Sequence, residues 1–154
     1  MSVEVETVQV VNDEVVEAFG RLLPQLSPAA GSHDLAALKT LVEWEGIRLL
    51  VARVDGRIMG ALTLVMFPIP TGVRAWIEDV VVDQTVRGRG VRGALTQEAV
   101  RLARADGART VDLTSRPSRE AANRLYERLG FELRDSKVYR LEEDQVRSVE
   151  EPLD

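Results

Sequence analysis

The chain has 154 residues, 45% of them apolar, with a net charge of -5, no cysteine and one histidine. That suits one domain with its own core, excludes disulfides and thiol catalysis, and argues against a zinc site or a general nucleic-acid surface. No apolar run approaches ~18 residues, and the first ten residues lack a basic stretch followed by an apolar one, so a cytoplasmic protein without a membrane span is expected.

Val3 to Val10 alternates apolar and polar residues, as a half-buried strand does. Asn12 is placed to cap a helix running to about Leu23, with Pro24 and Pro28 expected to break it. Ser32 or Asp34 opens a second helix with Leu35, Leu38, Leu41 and Val42 as its apolar residues. His33 reads there as an exposed or capping histidine. Gly46 ends that helix, and a meander follows: Ile47 to Val54, the turn Asp55-Gly56, Arg57 to Met66, a loop of Pro68, Pro70, Thr71 and Gly72, then a strand from Arg74 to Asp83. Regular alternation in the last strand puts Trp76, Glu78, Val80 and Val82 on one face and Ile77, Asp79 and Val81 on the other. Val91 to Ala103 has helical spacing and stops at Asp106-Gly107. Thr110 to Thr114 reads as a strand. Ser118 to Leu129 reads as a helix closed by Gly130. Phe131 to Arg134 and Lys137 to Leu141 read as a last pair of strands. The expected fold is a mixed α/β or α+β single domain over residues 1–141 with an acidic tail, 142–154.

The stretch from Asp79 to Ala103 carries the chemistry. An apolar strand enters the turn Arg87-Gly88-Arg89-Gly90-Val91-Arg92-Gly93, and the turn opens a helix. The first helical turn has N–H groups without intrahelical acceptors, glycines admit a ligand close to the backbone, and arginines add charged donors. A pyrophosphate is the natural guest. Gly88-x-Gly90-x-x-Gly93 matches the dinucleotide fingerprint literally, and Asp112 lies near the expected ribose distance. Against that reading, the first glycine comes several residues after the strand, and the preceding strands read as antiparallel hairpins. A phosphate-binding P-loop is excluded by the missing Gly-Lys-Ser/Thr.

The same turn resembles the Q/R-x-x-G-x-G/A signature of the GNAT (Gcn5-related) N-acetyltransferases, and it follows the strand ending Val80-Val81-Val82-Asp83 as that signature does. Asn123, Tyr126, Gly130 and Phe131 resemble the family's second signature about thirty residues on, and the element order matches from Val3 to about Leu141. Arg92 stands where the first signature has Gly or Ala.

The resemblance implies an acetyl-CoA-dependent N-acetyltransferase acting on a primary amine of a small molecule or protein, with no metal. Backbone groups of Val80, Val81 and Val82 would pair with the pantetheine of coenzyme A. Gly88 to Gly93, with Arg87 and Arg89, would hold the pyrophosphate, and Arg92 would reach back to it or point away. Asn123 would bond the pantetheine arm, and Tyr126 would protonate the departing thiolate. The family's carboxylate base aligns with Trp76, which cannot serve, so Glu78 and then Asp79 are the candidate bases. The acceptor site would lie among the first two helices, the 66–74 loop and the last strands. Dimers are common on this fold, so a homodimer is compatible. The alternatives are a non-catalytic acyl-CoA-binding protein on the same fold and a dinucleotide enzyme.

Overall fold

Period-two alternation in the first half of the chain produces strands that pair in sequence order. The computed structural model describes residues 2–28, 31 and 33–143. β1 (Val3–Thr7), β2 (Ile47–Val54), β3 (Arg57–Ile69), β4 (Gly72–Val82) and β5 (Ala108–Asp112) form one sheet in the order β1-β2-β3-β4-β5. The first three pairings are antiparallel and β4–β5 is parallel. Around the sheet lie α1 (Asp13–Leu26), α2 (Leu35–Glu43), α3 (Val91–Ala105) and α4 (Glu120–Arg128). This is the mixed, mostly antiparallel architecture expected. Its single parallel pair is not the doubly wound sheet a dinucleotide fingerprint needs. No helix among the described residues is long and apolar enough to cross a membrane.

Each face of the sheet buries its own layer. Leu50, Leu62, Leu64 and Ile77 pack against Val91, Leu95 and Ala99 of α3. Leu49, Val51, Ile58 and Ala61 pack against Val15, Phe19 and Leu22 of α1 and Leu38 of α2. Residues 49 to 51 thus alternate between layers, as strand geometry dictates. Gly60 on β3 touches the start of α3: a Cβ there would stand 3.0 Å from Val91 Cγ1 and 3.3 Å from Leu95 Cδ1. The Asp55-Gly56 hairpin has positive φ at both residues, 50° and 87°, as a type I′ turn requires.

Helix ends follow the local chemistry. Asn12 accepts from the Val15 N–H at 3.0 Å and Asp34 from the Ala37 N–H at 2.8 Å. Ser32 lies outside the described residues. α1 continues through Pro24 to Leu26 instead of breaking. Proline removes only its own N–H, and the turn is closed by Ser27 N–H to Leu23 C=O at 3.1 Å and by the Gln25 side chain to Arg21 C=O at 3.2 Å. Ser118 does not cap α4; Arg119 holds the cap position without a side-chain bond. Gly130, at φ 99°, closes α4 as expected, with Phe131 N–H bonded to Tyr126 C=O.

Three strand expectations are corrected. β1 ends at Thr7, because Val8 leaves the ladder to bury its side chain against α1 while its N–H still bonds Leu49 C=O. Residues 131–143 form no strand; the alternation is there, but no strand among the described residues pairs with it. Alternation in β4 is also broken. Ala61 pairs with Val81 but Thr63 pairs with Glu78, so β4 carries one extra residue, and Asp79 has φ 50°. That is a β-bulge. Ala75 and Ile77 face α3, and past the bulge Val80 and Val82 face it too, while Val81 faces α1 and α2.

Gly46, at φ 87°, joins α2 to β2, and a Cβ there would run into the Met66 carbonyl oxygen, which is backbone. Gly46→Ala is expected to cost about 2 kcal/mol or more, from strain plus the clash, read as a lowered urea midpoint with unchanged m.

Candidate active site

β4 and β5 pair only from Val73 to Trp76 on β4. Beyond Trp76 the bulge turns β4 away, and its edge faces a cavity of about 720 Å³. Val80, Val81 and Val82 form one wall. Arg87, Gly88, Gly90, Val91, Arg92 and Gly93 form the end wall, where α3 begins. Ser118, Ala121, Ala122, Leu125 and Arg128 of the α4 region form the opposite wall, and Gln25 and Leu26 of α1 close the remaining side. Nearly all the predicted cofactor residues therefore meet around one space. Arg89 and Asn123 are not on its wall.

The end wall is held by a carboxylate. Asp83 Oδ1 accepts from Thr85 N–H at 2.9 Å and from Thr85 Oγ1 at 2.6 Å, and Oδ2 accepts from Gln25 Nε2 at 3.0 Å. Gln25 Oε1 in turn accepts from Gln84 N–H at 3.0 Å. The turn of 3₁₀ helix Gln84–Val86 is thereby fixed, and Val86 plugs into the α3-side core. Those hydrogen bonds hold the Asp83 carboxyl down to about 2 from 3.8, with the Thr85 hydroxyl contributing most. Gly90 then takes φ 82° and starts α3, leaving the first-turn N–H groups directed at the cavity end. A Cβ at Gly88 or Gly90 would meet nothing within 4 Å, so space for a ligand exists over both.

Arg92 lines the cavity and reaches α4, where its Nη1 donates to the Tyr126 hydroxyl at 3.2 Å. Tyr126 itself is buried, 7% exposed, and its ring stands edge-on to Phe131 at 5.9 Å. It meets the cavity through Arg92 and does not form part of the wall. The Asn123 side chain donates to Arg116 C=O at 3.0 Å, fixing the chain before α4.

The two candidate carboxylates share one side of β4. Glu78 stands opposite Thr63, and Asp79 and Thr63 both line a small pocket of about 40 Å³ with Phe19, Leu23, His33 and Leu38. The expectation that Asp79 faces away from Glu78 fails because of the bulge. Burial pushes the Glu78 carboxyl up, repulsion by Asp79 adds to that, and attraction to Arg140 offsets part of it.

Sequence reasoning missed Gln25, Leu26, Asp83 and His33 as parts of these sites. Asp83-x-Thr85 is a readable Asx-turn signal. Gln25 and Leu26 carried none, since only the fold brings the end of α1 to the turn.

The acetyltransferase (GNAT) family model matches residues 12–131. A glucosamine 6-phosphate N-acetyltransferase of Trypanosoma brucei brucei is 32% identical over 128 residues, which covers 80% of this chain and 84% of that protein. Among solved structures, a Trypanosoma brucei acetyltransferase superposes with TM-score 0.74 at 27% identity, over 90% of this chain and 99% of its own. The enzyme AAC(6′)-Iy, solved with the bisubstrate analogue CoA-S-monomethyl-acetylneamine, has the same fold at TM-score 0.74 and 19% identity, over 91% of this chain and 97% of its own.

The bonds to Asp83 need its charged form. Its stabilisation is therefore fully present above the unfolded value near 3.8 and is lost as pH falls through about 2. Asp83→Ala is expected to lower stability by on the order of 1–2 kcal/mol at neutral pH. In urea titrations the gap to the parent chain should hold steady down to about pH 4 and close below it.

Proposed function

The chain belongs to the acetyltransferase (GNAT) family, and on that premise we propose that it transfers the acetyl group of acetyl-CoA to a primary amine of a small molecule or protein, by direct attack within a ternary complex. The observation that carries this reading is the single cavity joining an unpaired strand edge to the N-terminal end of α3. Its volume of about 720 Å³ suits a ligand of cofactor size.

In this reading the free edge of Val80, Val81 and Val82 pairs with the amides of the pantetheine arm as an added strand would. Gly88, Gly90, Val91 and Gly93 offer backbone N–H groups to the pyrophosphate, and Arg87, Arg89 and Arg92 supply charge. Asn123 acts by shaping the approach to α4, since its amide is engaged with Arg116.

The amine nitrogen forms the new bond to the carbonyl carbon, the carbon–sulfur bond breaks, and the proton lost by the amine passes to Glu78 or Asp79, directly or through water. Burial holds the Glu78 carboxyl above its ordinary value, which makes it a stronger base than a free carboxylate. An amine drawn in as a cation first gives one proton to solvent, since only the neutral nitrogen carries the lone pair that attacks. The departing thiolate takes a proton from Tyr126. Arg92 donates to the phenol oxygen, which leaves the phenol O–H as the donor still to be used. With no cysteine in the chain, a cysteinyl acyl-enzyme has no place.

The burial of Tyr126 behind Arg92 favours a second reading, an acyl-CoA-binding protein without transferase activity. Screening amines with acetyl-CoA and following thiol release separates the two.

Gly90→Asp is expected to weaken CoA and acetyl-CoA binding by about 10²-fold or more, roughly 2.7 kcal/mol, measured by calorimetry. The new side chain enters open space but φ 82° strains any Cβ there, so Gly90→Asn, which carries the strain without the charge, serves as the control and the difference between the two reports charge repulsion with the pyrophosphate; equal affinities of the Asp and Asn variants place the ligand elsewhere. NAD(H), titrated in parallel, should not bind.

Tyr126→Phe keeps the ring and its contact with Phe131. It should lower kcat by roughly 10²-fold while the Kd for acetyl-CoA stays within about twofold. An unchanged kcat removes Tyr126 from the mechanism.

A further inference from the structure

Arg92 holds a position that two partners claim. Its Nη1 donates to the Tyr126 hydroxyl at 3.2 Å, and it lines the cavity at the end where α3 begins. Tyr126 is buried and is not on the cavity wall. A group inside the cavity therefore meets Arg92 before it meets the phenol, although the phenol is the acid the reaction needs.

The surroundings of the two side chains decide which of them can move. The Tyr126 ring stands edge-on to Phe131, and Phe131 N–H bonds Tyr126 C=O at 3.0 Å, so the phenol is held from the far side of α4. The Arg92 backbone is fixed as well, with Val91 buried in the core beside it and Thr96 Oγ1 donating to Arg92 C=O at 2.8 Å. The guanidinium is held less firmly. Arg21, Arg53 and Arg101 are tied to carboxylates. Arg92 forms no ion pair among the described residues, and its charge rests on one bond to a neutral oxygen.

A pyrophosphate at the first turn of α3 changes that balance. A phenol oxygen takes one bond from a guanidinium, whereas a phosphate takes two in parallel and adds the opposite charge. A ligand that interacts with only one of two side-chain positions shifts the population toward that one.

We propose that Arg92 is a positioning residue with two seats, the Tyr126 hydroxyl in the free protein and the pyrophosphate of the bound cofactor, so that filling the cofactor site uncovers the acid. The inference rests on the cofactor site proposed above. It gives a role to an arginine standing where the family signature has Gly or Ala, since a smaller residue at position 92 would leave the phenol open to the cavity at all times. It also reconciles the burial of Tyr126 with work as an acid, because the shield is removed by the ligand that needs the proton.

The test places ¹³C at the tyrosine Cζ, whose resonance responds to hydrogen bonding at the phenol oxygen, and titrates the full chain with inorganic pyrophosphate. That ion carries the charge without an arm to fill the rest of the cavity. The chain has two tyrosines, and Tyr139, 89% exposed, is the internal reference. The Tyr126 signal, assigned with Tyr126→Phe, should move along the binding curve to the position it holds in ligand-free Arg92→Met, while the Tyr139 signal stays. Arg92→Met should bind CoA roughly tenfold more weakly, and pyrophosphate should leave its Tyr126 signal in place. The titration of the parent chain decides the matter even if that variant fails to fold. Calorimetric binding of pyrophosphate or CoA to the parent chain with a motionless Tyr126 signal keeps Arg92 on the phenol and overturns the proposal alone. An equal movement in Arg92→Met overturns it too, because the signal then does not pass through residue 92. If neither pyrophosphate nor CoA binds, the cofactor site itself is wrong and the two seats fall with it.

Discussion

Thr63 sits opposite Glu78 and Ala61 opposite Val81, so two steps along β3 correspond to three along β4. The site depends on that unequal count. The extra residue reverses the facing of everything after it, which turns Val80 and Val82 into the α3-side core and leaves their strand without a partner on its outer edge. A regular β4 would have continued beside β5 and filled the space the cavity occupies. The same bulge brings Asp79 to the side of Glu78, where its charge adds to burial in raising the Glu78 carboxyl. Ligand groove and candidate base therefore have one structural origin.

The glycine-rich turn shows how a flexible composition is made stiff. Its glycines permit positive φ at Gly88 and Gly90, which by itself would give a mobile loop. Asp83 removes that freedom by bonding Thr85 and Gln25, and Val86 anchors the turn below. A ligand meeting donors already in place does not have to offset the cost of ordering them.

The strand, turn and helix of the central stretch were legible because each has a strong local signal: an apolar run, glycines, then helical period. Gly46, Asp55-Gly56, Asp106-Gly107 and Gly130 were legible as stops because backbone sterics act locally. The bulge was not, since whether Asp79 takes φ 50° depends on how β3 pairs with β4, and nothing in the residue types from Glu78 to Val80 demands it. Pro24 misled because a proline near a helix end loses only one bond. Tyr126 was legible as a residue of interest from its spacing, but its partnership with Arg92 joins α3 to α4 across 34 positions, beyond any local pattern. The last two strands were inferred from alternation alone, and residues 131–143 form none; alternation supplies a pattern, whereas a strand also needs an edge to pair with.

Gly60 lies on the middle of the sheet, remote from the turn in sequence, yet Val91 rests almost on its bare α-carbon. Val91 is also the first residue of α3, one step from Gly90. The height of the helix above the sheet is thus set by a hydrogen atom at position 60. A Cβ there would force Val91 Cγ1 and Leu95 Cδ1 to give by a few tenths of an ångström, directly beneath donors whose hydrogen bonds weaken steeply with angle. Residue 60 acts as a shim: it calibrates the turn proposed to hold the pyrophosphate without being part of that turn.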